Sequence, residues 1–557
     1  MREGTQFTHH TMYNLGIDIG NTFTDFVLLE TISGYLAFGK TLTTHDDLTQ
    51  GVLVGFDELL ERNEVEPAEI HAVYLGSMLV DQLDISKLRN RLGALDFQGK
   101  FWLMTAGGWL VSPDQTPQLT PARLRSGSAG GAMAGAFFSY IGRYATLITI
   151  DVGGANAELS LIIQHQPQYV LAPLPDSQTG TLPAQPVIEV TEVPVGGRSI
   201  AWLDEQGQLR LGPEIVPHEL GPVCFNRGGT QPTLTDASLV LGYLGENFFL
   251  GGVIEISRDA AIRAIDEQIA RPLGLSVEEA AMAIHERAND QIAAAARKLL
   301  AHLTLDRGSI SLMAIGGGGP LHVYELARLL QMPEVMVPVG AGVTSALGCL
   351  VSPVAAERIR QHFSPLETID WDFLNGMLGQ MAEDARTELR NAGLDPDEAR
   401  ITRAGFMRLL GIHDEVFIPL PDGVLSPESQ PAIRELFVEA YRRRGRFVVE
   451  GRTIEAVAWQ VLVSMPALKF GPRRVDAFNK YSIGGKDFSA LKGYRQVYYL
   501  GDPVPCSCPV YDRHRIRPND TLSGPVIIEE DETTVVIGPK TYVRMDTNRN
   551  LFITVRL

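Results

Sequence analysis

The chain has 557 residues, of which 45 % are hydrophobic and 20 % are charged, which is typical of a globular protein with roughly two to four domains. Its net charge of −18 at pH 7 argues against a nucleic-acid partner, since no basic surface offsets the acidity. No apolar run is long enough to span a bilayer, and the N-terminal segment lacks the apolar core of a signal peptide. We therefore expect a cytoplasmic protein with no membrane partner.

Apolar runs separated by polar turns predict an α/β region at the N-terminus. A helix is expected at Thr49–Glu61, with Asp46 or Asp47 as its N-cap. The strands expected around this helix are Leu15–Ile19, Phe26–Leu29, Tyr35–Phe38, Ala72–Leu75 and Phe101–Met104.

The remaining elements predict two further regions. The stretch SGSAGGAMAGAFFSYIGRY indicates a helix of small residues that packs closely, and further helices are expected at Val277–His302, Leu366–Ala392 and Ser429–Arg443. From about residue 401, short strands alternate with turns. We divide the chain into an N-terminal lobe (13–98), a core lobe (99–365) and a β-rich C-terminal domain (366–557).

The stretch LGIDIGNTFTDFVLL, Leu15–Leu29, is an apolar strand, a tight acidic-glycine turn and a second apolar strand. Successive N–H groups in such a turn form a concave nest that suits a phosphate. The carboxylate of Asp18 is placed to hold a hydrated Mg²⁺ beside it, because Mg²⁺ prefers oxygen ligands. The alternative interpretation is an ordinary β-hairpin with Asp-Ile-Gly-Asn turn chemistry.

A second copy of this pattern favours the phosphate interpretation. LITIDVGGANAELSLI, Leu147–Ile162, again has an aspartate, Asp151, followed by two glycines between apolar strands. Two such hairpins indicate two related sub-domains that face one nucleotide. A third glycine cluster, AIGGGGPLHVYELARLL, follows the strand Ser311–Ile315 and opens an amphipathic helix, which suits an adenosine or its phosphates.

Two other motifs invite functional interpretations that we do not favour. GYLAFGKT, Gly34–Thr41, has the spacing of a phosphate loop, but its centre is predicted to be a strand and no helix begins at Lys40. Cys506 and Cys508 form a C-x-C pair near His514, but a structural zinc ion needs four ligands and no fourth is evident.

The motifs together resemble the hydantoinase A / 5-oxoprolinase / acetone carboxylase β-subunit family of the actin-like ATPase superfamily. The resemblance is collinear from residue 13 to 557. It is carried by DIGNTFTDFVL, SGSAGGAMAG, IDVGGANAELSLI, VGGRSIAWLDEQGQLRLGPE, GPVCFNRGGTQPTLTDASLVLGYL, IGGGGPLHVYELA, VPVGAGVTSALGCLVSP and CPVYDRHRIRPNDTLSGPVIIEEDETTVV. It implies an α/β, ribonuclease H-like, two-lobed ATPase fold with a β-rich C-terminal domain.

The resemblance also implies ATP and Mg²⁺ as cofactors, a small-molecule substrate and a hydantoinase B-type partner subunit. Asp18, Asp151 and Asp236 would be catalytic, with Asp18 and Asp151 as metal ligands. The residues that would contact the nucleotide are Gly20, Asn21, Thr22 and Thr24 on one side, Gly153, Gly154 and Asn156 on the other, and Gly316, Gly317, Gly318 and Gly319 at the adenosine.

Several positions depart from the pattern of the family. Asn21 replaces a glycine, which a left-handed turn tolerates. The second hairpin has Ala155, Asn156, Ala157 and Glu158 where the family has Thr-Ser-Thr-Asp, so two hydroxyl donors are missing. A third family motif survives only in part, in LGSMLVDQL, and the long segment that normally follows it is absent.

Three functional hypotheses follow. The first is an ATP-dependent subunit that activates a cyclic amide or ketone by phosphorylation in a hydantoinase, oxoprolinase or carboxylase complex. The second is a degenerate subunit that binds nucleotide weakly or not at all, as the missing hydroxyls and the missing segment suggest. The third is a stand-alone small-molecule kinase, which rests on fold analogy alone. We favour the first.

Overall fold

The computed structural model of the protein describes residues 12–114, 124–172, 185–301, 303, 306–443, 446, 451–468, 490–502 and 504–556. Six strands form the sheet of the first lobe: β1 (Tyr13–Ile19), β2 (Phe23–Glu30), β3 (Leu36–Leu42), β4 (Ile70–Ser77), β5 (Lys100–Met104) and β6 (Leu110–Val111). Their order is β3-β2-β1-β4-β5-β6. β1 is antiparallel to β2 and parallel to β4, and β4 is parallel to β5.

The second lobe repeats this arrangement. Its strands are β7 (Thr146–Val152), β8 (Ala157–Ile163), β9 (Gln166–Pro167), β10 (Tyr169–Ala172), β11 (Gln185–Ile188), β12 (Val190–Val193), β13 (Ser199–Leu203), β14 (Leu209–Ile215), β15 (Ser311–Ile315) and β16 (Glu334–Val337). The sheet runs β12-β8-β7-β15-β16, with the same parallel and antiparallel pairings as β3-β2-β1-β4-β5. The duplicated sheet agrees with the predicted two-lobed, ribonuclease H-like fold.

Ten helices are labelled among the described residues. They are α1 (Leu48–Asn63), α2 (Ile85–Ala94), α3 (Gly127–Gly142), α4 (Leu234–Val240), α5 (Arg258–Ile265, continued by a π turn at Asp266–Ala270 and by Arg271–Leu273), α6 (Val277–Leu299), α7 (Gly319–Leu330), α8 (Thr344–Val351), α9 (Trp371–Asn391) and α10 (Gln430–Arg443). The predicted helices are present, with ends shifted by a few residues. Asp47 is the N-cap of α1, where its side chain accepts a hydrogen bond from the backbone N–H of Thr49 at 3.2 Å.

The two lobes pack through α3 and α8, and their glycines explain how closely. A Cβ on Gly348 would lie 1.8 Å from the carbonyl oxygen of Gly130, and one on Gly16 would lie 2.2 Å from that of Ala346. No larger residue fits at such a backbone contact. The small residues that predicted a closely packed helix therefore set the approach of β1 to α8 and of α3 to α8.

The C-terminal region is β-rich. Its strands are β17 (Ala355–Pro365), β18 (Arg400–Leu409), β19 (Val416–Pro419), β20 (Ile454–Ser464), β21 (Leu491–Val497), β22 (Cys506–Asp512), β23 (Thr521–Ser523), β24 (Val526–Glu530), β25 (Thr533–Ile537), β26 (Thr541–Met545) and β27 (Leu551–Val555). The sheet β17-β20-β18-β19 forms a core of its own with α9 and α10, whereas β27 and β26 extend the second-lobe sheet beyond β16. Where the domains divide remains a prediction.

Within the part of the chain that the structure describes, no helix is long and apolar enough to cross a membrane. The segment Gly34–Thr41 is largely strand β3, in agreement with the prediction that it is not a phosphate loop. Cys506 lies on β22 as a free thiol, and no group of three or more His, Cys, Asp or Glu in the described ranges is arranged to hold a metal ion.

Candidate functional site

A cavity of about 230 Å³ lies where the two lobes face each other. It is lined by the turns of both β1–β2 and β7–β8, by the loop after β15, and by the turn between β24 and β25. Of the predicted nucleotide and metal residues, those that line it are Asp18, Gly20, Asn21, Thr22, Asp151, Gly153, Gly154, Asn156, Gly316, Gly317 and Gly318.

The two hairpins have the same local geometry. In the first, the Gly20 N–H donates to the Phe23 carbonyl at 3.0 Å, and in the second the Gly153 N–H donates to the Asn156 carbonyl at 3.0 Å. Across the strands, Asp18 is paired with Asp25, and Asp151 with Glu158. Each hairpin therefore presents one turn and two carboxyl groups to the cavity.

The turns of the two hairpins are in direct contact. A Cβ on Gly154 would lie 2.2 Å from the Thr22 hydroxyl, so a larger residue there would have to displace that side chain. In the third loop, a Cβ on Gly316 would lie 2.0 Å from Asp151 Oδ1, and Gly316 has φ +76°. Because glycine is the residue that permits such approaches and positive φ, the second hairpin and the third loop each have a physical reason for glycine at this site.

The pKa values of several carboxyl groups in the cavity are raised. Burial, and then the negative charges of neighbouring carboxylates, raise the pKa of Asp18 well above its ordinary value. Burial and the charge of Asp25 raise the pKa of Asp151 to about 6, and burial and the charge of Asp151 raise the pKa of Glu158 to about 8. A cation bound among these groups would stabilise their ionised forms.

The two hairpins differ in what stands opposite their second carboxyl group. In the first lobe, Lys40 on β3 lies opposite Asp25, with its Nζ 2.6 Å from Asp25 Oδ1 and 2.8 Å from the Gly342 carbonyl. In the second lobe, Glu192 on β12 occupies the equivalent place opposite Glu158. Sequence reasoning missed Lys40 as a site residue, because it considered this lysine only as part of a phosphate loop.

The residues present suit a Mg²⁺ ion that is completed by other ligands. Asp18 is 8 % exposed, and its Oδ1 is buried with no hydrogen-bond partner. Asp151 Oδ2 accepts from the Ser345 hydroxyl at 3.3 Å, and a carboxylate lone pair remains free. Mg²⁺ commonly takes one or two carboxylates, with phosphate and water oxygens as its other ligands, and this donor set fits that pattern.

Three predicted residues are not brought to the cavity wall. Thr24 is 1 % exposed and pairs with the Thr43 hydroxyl at 3.1 Å. Gly319 is the first residue of α7 and packs against the Ile150 carbonyl, where a Cβ would lie 3.0 Å away.

Asp236 is the third, and its surroundings give it a structural part. It is fully buried, and its oxygens accept from the backbone of Cys224 at 2.7 Å and from the backbone and hydroxyl of Thr233 at 2.8 Å each. With Thr233 as N-cap it forms the capping box of α4. The family resemblance implied a catalytic role for Asp236, and its T-x-x-D spacing with Thr233 is that of a helix start.

The sequence also did not show that the β24–β25 turn reaches the cavity. The Thr533 hydroxyl on this turn donates to the Gly317 carbonyl at 2.9 Å. Glu532 beside it has a buried Oε2 without a hydrogen-bond partner, and burial and the charge of Glu530 raise its pKa to about 8. The run of acidic residues in GPVIIEEDETTVV was the sequence feature that could have indicated a site there. No local sequence pattern indicates that this turn contacts the glycine loop.

One end of the cavity is apolar. Phe225, Phe248, Phe249, Leu244 and Leu321 line it, adjacent to the glycine loop that precedes α7. Flat aromatic and aliphatic walls suit a heterocyclic base, whereas the hairpin end carries the polar groups.

Family models match most of the chain. The hydantoinase/oxoprolinase N-terminal region matches residues 14–80, the hydantoinase/oxoprolinase domain residues 73–358, and the C-terminal domain residues 371–554. The chain belongs to the hydantoinase/oxoprolinase family. This membership confirms the resemblance drawn from the motifs.

Curated relatives are longer than this chain. An uncharacterised protein of Methanocaldococcus jannaschii, MJ0964, is 29 % identical over 82 % of the chain and 65 % of its own length. Caprolactamase subunit alpha of Pseudomonas jessenii is 29 % identical over 77 % and 61 %, and acetone carboxylase beta subunit of Xanthobacter autotrophicus is 26 % identical over 74 % and 58 %. The chain therefore spans less than two thirds of these relatives.

Two solved structures share the fold. Nucleotide-free acetone carboxylase superposes with a TM-score of 0.76 at 18 % identity, over 98 % of this chain and 99 % of the other. The ATP-dependent caprolactamase from Pseudomonas jessenii superposes with a TM-score of 0.72 at 22 % identity, over 97 % and 99 %. The actin-like, two-lobed α/β fold with a β-rich C-terminal region is thus established.

Proposed function

We propose that the protein is an ATP-dependent subunit of a hydantoinase-, oxoprolinase- or carboxylase-type complex. The observation that carries the proposal is the contact between the two hairpin turns at Thr22 and Gly154, with the buried Asp18 and the half-buried Asp151 lining the same cavity. Relatives named ATP-dependent caprolactamase and acetone carboxylase support it.

In this proposal the apolar end of the cavity binds the adenosine and the two turns receive the phosphates. The turn residues line the cavity, and backbone N–H groups of such turns would donate to phosphate oxygens. Asp18 and Asp151 would hold Mg²⁺, which would offset the negative charge that develops during phosphoryl transfer. Phosphoryl transfer needs positioning and charge stabilisation more than a protein nucleophile, and the site contains groups for both.

We infer the reaction class from the family resemblance. An enol or imidate oxygen of a ketone or cyclic amide would attack the γ-phosphorus, forming the new O–P bond while the bond to the β–γ bridging oxygen breaks and ADP leaves. Relatives named as subunits of caprolactamase and acetone carboxylase support a partner. We propose a hydantoinase B-type subunit, which would receive the phosphorylated intermediate.

The test uses the chain alone and co-purified with the product of a neighbouring hydantoinase B-like reading frame. Mg-ATP binding is measured by calorimetry, and ADP release is measured with hydantoin, 5-oxoproline, caprolactam and acetone plus bicarbonate. We expect binding and partner-dependent ADP release that are lost in Asp18→Ala and kept in the matched control Asp290→Asn, which alters an exposed acid on α6. Absence of ATP binding in both preparations would overturn the proposal.

A second candidate is a non-catalytic subunit of such a complex. It is favoured by Ala155 and Ala157, which lack hydroxyl donors, and by Glu192 opposite Glu158, which leaves the second hairpin without a neutralising lysine. The same experiment distinguishes it, since this candidate predicts a stable complex with the partner and no substrate-stimulated ADP release.

A further inference from the structure

Arg198 lies directly behind the turn of the second hairpin. Its backbone N–H donates to the Gly154 carbonyl at 2.8 Å, and the Gly197 N–H donates to the Gly153 carbonyl at 2.9 Å. The segment Gly196–Arg198 is thereby tied to the hairpin through backbone atoms, so its position does not depend on the arginine side chain.

The side chain of Arg198 is buried and only partly satisfied. It is 6 % exposed and lines the cavity. Its Nη1 donates to the Val216 carbonyl at 3.0 Å, whereas its Nε has no hydrogen-bond partner. Burial lowers the pKa of the guanidinium, and the charge of Glu219 opposes this.

A guanidinium that is removed from water without a full set of acceptors is costly unless a ligand supplies them. Glu219, whose charge acts on Arg198, lies 3.1 Å from His218 and is itself exposed. The Nε of Arg198, a residue that lines the cavity, is therefore a donor that an anion would use.

A second unused donor lies next to it. The Thr22 hydroxyl is also buried without a hydrogen-bond partner. A Cβ on Gly154 would lie 2.2 Å from that hydroxyl and 3.3 Å from Arg198 Nε. One donor from each lobe thus lies beside the same glycine, at the contact between the two turns.

The other cavity cation is already engaged. Among the described lining residues the permanently charged cations are Lys40 and Arg198, and Lys40 is held by Asp25 and the Gly342 carbonyl. The second hairpin carries alanine at positions 155 and 157, so it offers no hydroxyl donor there.

We propose that Arg198 binds the polyphosphate of the ligand, with its Nε and the Thr22 hydroxyl donating to terminal phosphate oxygens at the junction of the two turns. This inference rests on the proposed function and deepens it. It gives the second hairpin a charged donor in place of the hydroxyl groups that Ala155 and Ala157 lack. A guanidinium suits this task, because its planar array of donors matches phosphate oxygens.

The test compares Mg-ATP with inorganic tripolyphosphate, by calorimetry and by ligand-induced thermal shift. The variants are Arg198→Met, Arg198→Gln and the control Arg210→Met, which removes an exposed arginine that pairs with Asp204. We expect Arg198→Met to lower the affinity for both ligands at least tenfold, and the control variant to bind them as the wild type does. The melting temperature of Arg198→Met without ligand should not fall, because the substitution removes a buried charge. If the role of Arg198 were structural, its loss would lower the melting temperature.

The outcomes separate this inference from the proposed function. Equal affinities of Arg198→Met and wild type for both ligands would overturn the role of Arg198 and leave ATP binding intact. If tripolyphosphate binds in a way that depends on Arg198 but ATP does not bind, the phosphate-binding role of Arg198 is supported and the proposal that the ligand is a nucleotide is overturned. Binding of neither ligand by the wild type would overturn both. If Arg198→Met does not fold, Arg198→Gln, which keeps a donor for the Val216 carbonyl, decides by the same criteria.

Discussion

Glu158 is expected to make the protein less stable as the pH rises, and Glu158→Gln should remove that loss. The pKa of Glu158 rises from an ordinary 4.5 to about 8 in the folded protein, through burial and the charge of Asp151. Below the unfolded pKa both states are protonated, so the carboxyl group carries no penalty. Between the two values the unfolded state ionises while the folded state keeps its proton, so folding loses free energy as the pH rises, and above about 8 the loss is constant.

The size of the effect follows from the shift. One pKa unit corresponds to about 1.4 kcal/mol, so the rise from 4.5 to about 8 sets an upper limit of about 5 kcal/mol. Glu158 is partly accessible from the cavity, and water there screens the charges, so we expect about 2 kcal/mol. Glutamine keeps the shape of the protonated side chain and does not ionise.

The assay is urea denaturation of wild type and Glu158→Gln at intervals from pH 5 to pH 9. We expect the smallest difference at pH 5 and a difference in favour of the variant that grows up to about pH 8. The control Glu192→Gln removes the exposed carboxyl group opposite Glu158 and should change stability by only a few tenths of a kcal/mol. Parallel pH curves for wild type and Glu158→Gln would refute the reasoning.

Three further predictions concern the cavity and its supports. Because burial raises the pKa of both proposed metal ligands, Asp151 to about 6 and Asp18 well above its ordinary value, Mg²⁺-dependent ATP binding should weaken as the pH falls. The loss should reach tenfold per pH unit below 6 for Asp151 alone and be steeper where Asp18 also takes up a proton, as titration calorimetry at several pH values would show. Gly154→Ala should weaken Mg-ATP binding and lower the melting temperature, because the added methyl group pushes on Thr22. Adding Thr22→Ala should recover part of the stability. A Gly154→Ala variant with unchanged binding and melting temperature would contradict the close contact. Asp236→Ala should lower the free energy of unfolding by about 2–4 kcal/mol, because it leaves buried hydrogen-bond donors unpaired; denaturant melts would measure the loss. A variant that is fully stable but does not release ADP would instead indicate that Asp236 is a catalytic carboxylate.

The sequence predicted best those parts of the site whose geometry is local. A hairpin turn with an aspartate before two small residues shows its strand pairing within about ten residues, so Asp18 and Asp151 were found from the motif alone. The duplicated sheet order could likewise be expected once two such hairpins were present. In both cases the information lies in neighbouring residues, where periodicity and turn chemistry act.

The residues that the sequence did not reveal reach the cavity through long-range pairing. Lys40 arrives because β3 pairs with β2 in a register that places it opposite Asp25, and Arg198 because its backbone bonds to Gly154. Glu532 arrives on a hairpin from the C-terminal region. No local pattern encodes these approaches, because strand register and turn placement are set by tertiary packing.

The two halves of the site have the same backbone geometry and different charges, and this bears on how lost motif residues are interpreted. Lys40, opposite Asp25, offsets negative charge at the first hairpin, whereas Glu192, opposite Glu158, adds negative charge to the second hairpin. Judged by its hairpin alone, the second half lacks donors. Judged by what packs against it, it has a buried guanidinium at Arg198 with unused capacity on the cavity side. Loss of hydroxyl groups from a motif therefore does not by itself show loss of phosphate binding, because a neighbouring segment can supply the donor.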